Sequence, residues 1–85
     1  MAKYSVVITA SVQKMLGKLS DTIADKLETA MLSLENNPRP NGYKKLKGRA
    51  AYRIRVGDYR IIYEVEDFVL KVTVINAGHR KEIYR

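Results

Sequence analysis

Apolar positions recur along this 85-residue chain with two different periods, helical at first and strand-like later. The opening run "KYSVVI" (3–8) is a short β-type segment that predicts the first strand of a sheet. In "TASVQKMLGKLS", Val12, Met15, Leu16 and Leu19 fall at i, i+3, i+4 and i+7, the apolar stripe of a helix. Ser20 is a suitable N-cap for a second helix, with Asp21 at the positive end of its dipole. There Ile23, Leu27, Ala30, Met31 and Leu34 share one face, and "NNPRPNG" (36–42) ends it because proline breaks the hydrogen-bonding ladder. Helices joined this closely predict an antiparallel helical hairpin. Their Met and Leu stripe reads as core, not as a cofactor box.

After the basic stretch "GYKKLKGRA" (42–50) the period becomes two. In "YRIRVGDYRIIYEV" (52–65) a two-residue turn at Gly57-Asp58 gives the simplest hairpin register. It pairs Val56 with Tyr59, Arg55 with Arg60, Ile54 with Ile61 and Arg53 with Ile62. Side chains alternate in direction along a strand, so Tyr52, Ile54, Val56, Tyr59, Ile61 and Tyr63 form an apolar face for the helices. Arg53, Arg55 and Arg60 form the other face. A second turn at Glu66-Asp67 pairs Val65 with Phe68, brings Phe68, Leu70, Val72 and Val74 to the core face and sets Thr73 beside Arg60. The tail "NAGHRKEIYR" (76–85) adds His79, Arg80 and Tyr84 after a turn at Gly78. With no repeat, low-complexity tract or internal boundary, residues 1–85 read as one α+β domain: N-terminal strand, antiparallel helical hairpin, then antiparallel β-sheet.

Charge sharpens this picture. The net charge is +7, and residues 1–37 hold four Lys against four Asp or Glu. The whole excess therefore lies in residues 38–85, which implies a polyanion or an acidic protein as partner. Arg55 directly across from Arg60 is a like-charge pair, which destabilises a sheet. Only Glu64, diagonal to Arg53, lies near enough to offset it. Stability gains nothing from such a face, whereas a bound phosphate does. The chain has no cysteine and one histidine, so a thiolate or histidine metal site is not expected. No apolar run approaches the roughly 20 residues needed to span a bilayer, and the chain reads as cytoplasmic, with no membrane partner.

With the "YRIRVGDYRIIYEV" hairpin, the preceding "KKLKGR" and the terminal "GHRKEIY", the sequence resembles the RelE branch of the RelE/ParE toxin superfamily over nearly its whole length. The resemblance implies a two-layer microbial ribonuclease fold and the toxin of a type II toxin–antitoxin system. It further implies an mRNA interferase that cuts message in the ribosomal A site without metal or other cofactor, by attack of an RNA 2′-hydroxyl on the adjacent phosphorus. The implied partners are a RelB-like antitoxin, acidic and partly disordered, together with the ribosome and mRNA.

Carried over position by position, the resemblance marks Arg53, Arg55, Arg60, Arg80 and Tyr84 as the site. Lys44, Lys45, Lys47 and Arg49 are then expected to contact RNA phosphates. Guanidinium forks match phosphate oxygens, and Arg60 and Arg80 are expected to lie outside the core. Well-known relatives carry lysine where this chain has Arg53 and Arg55. Arginine does not lose its proton in proteins, so the general base would be Tyr84 or His79, or the ribosome's distortion of the message would carry the rate. A ParE-like gyrase inhibitor and a ribosome-independent ribonuclease of the same fold are the competing readings.

Overall fold

In the computed structural model, residues 3–48 and 50–79 are described. Strand β1 (Ser5–Ile8) leads into α1 (Ala10–Gly17) and α2 (Asp21–Ser33), followed by β2 (Lys44–Lys45), β3 (Ala51–Val56), β4 (Tyr59–Glu66) and β5 (Lys71–His79). The five strands form one sheet in the order β1-β5-β4-β3-β2. It is antiparallel except at β1, which pairs parallel with β5 after the two helices cross over. The expected α+β arrangement is therefore present, with β1 as a parallel edge of the sheet. No helix among the described residues is long and apolar enough to cross a membrane.

The helices follow the apolar stripes. Val12 and Leu16 of α1 and Leu27 and Met31 of α2 are buried, as is Leu34, just past the end of α2. They meet Ile54, Ile61, Tyr63, Val72 and Val74 from the sheet to make one core. Truncating a fully buried member such as Leu27 to alanine removes contacts that no neighbour replaces, at a cost of about 2–5 kcal/mol. The Ser20 hydroxyl accepts the Ile23 N–H at 3.4 Å, the cap that the sequence predicts.

The β3–β4 register matches the expected one pair for pair, from Val56↔Tyr59 through Arg55↔Arg60 to Arg53↔Ile62. Gly57 has φ +59 and Asp58 is not among the left-handed residues, so glycine at the first turn position gives a II′-type hairpin. The β4–β5 connection differs from expectation. Its turn is a 3-10 segment, Asp67–Val69, followed by Leu70 in the left-handed region at φ +51. The pairs are Glu66↔Lys71, Val65↔Val72 and Glu64↔Thr73, so Thr73 lies beside Glu64 rather than Arg60. Phe68 is not core: with Val69 it projects from the turn, fully exposed. Ile62 pairs with Asn76 and Tyr63 with Val74, leaving Ile75 as a bulge. The bulge brings Ala77 across from Ile61 and Gly78 across from Arg60. Gly78 is thus a strand residue and not the turn expected there.

A polar cluster fastens the segment after α2 to the far end of the sheet. Arg39 forks onto Asp67 at 3.2 and 3.0 Å, and the Tyr4 hydroxyl donates to the same carboxylate at 2.7 Å. Arg39 also donates to the Tyr52 hydroxyl at 3.1 Å, with its guanidinium carbon 5.0 Å from the Tyr52 ring centroid. The buried Tyr63 hydroxyl donates to the Pro38 carbonyl at 2.6 Å, and burial pushes that phenol up to about 12.

Candidate active site

Arg53 and Arg55 come from β3 and Arg60 from β4, and alternation along the strands puts all three on the sheet face away from the helices. A two-residue turn makes Val56–Tyr59 a hydrogen-bonded pair, so Arg55–Arg60 falls in the other class. Cα atoms in that class are only about 4.5 Å apart and the side chains stand closest. Lys44 pairs with Arg53 and extends the cationic row to the sheet edge.

The arginines are not equally accessible. Arg55 is exposed, but Arg53 and Arg60 are 6% and 8% exposed. Buried Ala51 and Ile62 share their face. The expectation that Arg60 stands outside the core is corrected accordingly. Arginine buries its methylene stem readily, but a buried guanidinium is held only where its charge is compensated, and both residues engage other groups in the chain.

A cavity of about 30 Å³ opens between the two strands at the hairpin tip, lined by Arg55, Gly57, Asp58, Tyr59 and Arg60. That volume takes one or two water-sized atoms. It is wide enough for a single oxygen and far too small for a nucleoside. Asp58 is its one acidic wall. The sequence marks Asp58 only as a turn residue, and no motif signals that it lines a cavity together with the arginine pair. A second cavity of about 190 Å³ lies on the helix side, between Ile23, Lys26 and Leu27 of α2 and the same turn.

His79 is separated from the arginines. It pairs with Tyr59, on the core side of the sheet, and its ring stands edge-on to the Tyr59 ring at 5.6 Å. Alternation thus places it on the sheet face opposite Arg53, Arg55 and Arg60. Arg80 and Tyr84, and Arg49 of the basic segment, lie outside the described residues. Lys44, Lys45 and Lys47 are exposed, and the first two form β2. Among the described residues no cluster of three or more His, Cys, Asp or Glu is placed to hold a metal ion.

This geometry can be set beside known proteins. The family described as ParE toxin of type II toxin–antitoxin system, parDE, matches residues 6–84. The toxin RelE of Mycobacterium tuberculosis is 34% identical, over 96% of this chain and 87% of that protein. Among solved structures, the chain is similar to one in the RelE–RelB complex of Pyrococcus horikoshii OT3, with 29% identity, TM-score 0.83 and coverage of 94% of this chain and 98% of that one. It is also similar to a chain of the toxin–antitoxin complex RelBE2 of M. tuberculosis, with 25% identity, TM-score 0.82 and coverage of 96% and 97%.

Proposed function

The chain belongs to the RelE branch of the RelE/ParE superfamily, toxins of type II toxin–antitoxin systems, and from that premise we propose that it is a metal-independent endoribonuclease acting on mRNA in the ribosome. The observation that carries this reading is the directly opposed Arg55–Arg60 pair flanking an oxygen-sized cavity. In the proposed reaction a 2′-oxygen attacks the adjacent phosphorus and the bond to the 5′-oxygen breaks. The 2′-proton leaves to a base and the 5′-oxygen gains a proton, leaving a 2′,3′-cyclic phosphate and a 5′-hydroxyl. Arg55 and Arg60 hold the non-bridging oxygens as negative charge gathers on them, the preorganised stabilisation that dominates such catalysis. Arg53 supports the same face. Arg80 and Tyr84 complete the set through their match to the family's positions, and with no proton acceptor among the arginines Tyr84 is the candidate for proton transfer. Lys44, Lys45, Lys47 and Arg49 attract RNA through its phosphates.

The partner in the cell is a RelB-like antitoxin, an acidic chain that orders on this basic surface and neutralises it. The RelE–RelB complexes to which this chain is similar support that pairing.

The test is to add the protein to a translating extract and map the message ends, with the same message free of ribosomes as control. Fragments with new 5′-hydroxyl ends only in the translated sample are expected. Equal cleavage of free RNA would make it a ribosome-independent ribonuclease. The ParE match favours a second reading, inhibition of DNA gyrase. A supercoiling assay examines that reading, and unchanged supercoiling is expected.

A further inference from the structure

Between Glu35 and Asp58 the chain carries seven Lys or Arg and no acid. Among them stands one exposed aromatic ring, Tyr43, 40% exposed. It is held in place by what surrounds it. Its N–H donates to the Pro40 carbonyl at 3.0 Å across a turn in which Gly42 takes φ +88. Its ring lies 5.9 Å from that of Tyr52, which in turn stacks on buried Tyr63 at 5.8 Å and carries Arg39. Tyr43 is therefore the open end of an aromatic column anchored in the core.

Lys44 and Lys45 follow it directly. Pairing with Arg53 and with Tyr52 turns Lys44 to the arginine face and Lys45 to the aromatic side. From the strand of Arg60 to that of Lys44 is two strand spacings, roughly 10 Å. The exposed cations Arg55, Lys44 and Lys45 thus lead from the arginine face around the sheet edge to a fixed ring. Ammonium groups alone attract any polyanion. A preorganised flat ring at the end of the row adds what an unpaired nucleobase recognises, a stacking surface that loses little freedom on binding.

We propose that Tyr43 is a base-stacking subsite for single-stranded RNA, placed where a strand leaving the arginine face crosses the Lys44–Lys45 edge. It rests on the reading that the arginine face takes an RNA phosphodiester, and it adds a contact to a base outside the cleavage centre.

The test measures binding of the intact protein to a short single-stranded RNA, 2′-O-methylated to block cleavage, by fluorescence anisotropy across a salt series. A matched oligomer of abasic nucleotides serves as the second probe. Tyr43→Leu should weaken binding to the first oligomer by roughly 5- to 150-fold, leave the salt slope unchanged and have little effect on the abasic oligomer. Tyr43→Phe should bind within about twofold of the parent. Lys44→Ala and Lys45→Ala should each lower the salt slope by about 0.7 for a single strand. Three results would overturn the proposal: no binding by the parent protein at low salt, parental affinity in Tyr43→Leu, or an equal loss on the abasic oligomer. Weakened antitoxin binding in Tyr43→Leu with RNA affinity unchanged would assign the ring to the antitoxin instead. Failure of the parent protein to cleave translated message, with the Tyr43 pattern intact, would remove the nuclease reading and leave the stacking subsite standing.

Discussion

Arg55 and Arg60 face each other in the class of cross-strand pair whose side chains stand closest, and of the two only Arg55 is open to solvent. Like charges in that position cost a sheet about 0.2–1 kcal/mol. Arg55→Thr should therefore raise the melting temperature by a few degrees, at about 4–8 °C per kcal/mol for a domain of this size, as read by thermal denaturation. A lower melting temperature would mean that Arg55 contributes more to packing than its exposure implies. At His79 the prediction is an absence of effect. With its ring against Tyr59 on the opposite face, His79→Gln should leave both the rate and the pH profile of cleavage unchanged. A slower rate or an altered pH profile in this variant would put His79 back in the reaction. The identity and facing of Arg53, Arg55 and Arg60 were legible from alternation and one turn. Their burial was not, because what covers a sheet face is decided by tertiary contacts that no local pattern encodes.

Among the elements, the β3–β4 hairpin was readable because Gly57-Asp58 is a strong two-residue turn signal between alternating runs. No Cβ at Gly57 would meet any atom within 4 Å, so the demand for glycine is the backbone's alone, at φ +59. Gly57→Ala should cost about 1–2 kcal/mol, measured as a lower urea midpoint at unchanged m-value. An unchanged midpoint would mean that the turn relaxes to another type. The β4–β5 connection misled for an equally physical reason. Glu66-Asp67 looks like a two-residue turn, but Asp67 is engaged by Arg39 and Tyr4, and the chain turns instead through Asp67–Val69 and left-handed Leu70. That register differs from the expected one by an even number of residues, so Val72 and Val74 still reach the core while Phe68 does not. The bulge at Ile75 and the parallel pairing of β1 depend on partners distant in sequence, and no local pattern reveals them.

At the scale of the molecule, two fixtures hold opposite ends of the sheet: the hairpin tip with the arginine pair, and the Tyr4–Asp67–Arg39–Tyr52 cluster. The second makes stability pH-dependent. The hydrogen bonds from Arg39, then that from Tyr4, hold the Asp67 carboxyl below its usual range. A carboxylate with a lowered folded pKa contributes stability above its unfolded pKa, near 3.9, and loses that contribution as pH falls through the folded value. The stability difference between the parent and Asp67→Asn should hold from neutral pH to about pH 5 and shrink below about pH 4. A difference independent of pH in acid would mean that the ion pair adds nothing to the fold. The cluster lies at the far end of β4 from the Gly57-Asp58 turn, so this change should leave the cleavage centre in place.

The most direct measurement is the single-turnover cleavage rate of ribosome-bound message by Arg55→Ala, taken alongside its melting curve. Arg55 is exposed and lines the oxygen-sized cavity, so removing it separates chemistry from folding better than removing buried Arg60. The predicted result is a rate lower by about 100- to 1000-fold, the usual loss for one preorganised donor, with melting temperature equal to or above the parent's. A parental rate from a folded Arg55→Ala protein would contradict the assignment of the Arg55–Arg60 pair as the phosphate-binding centre.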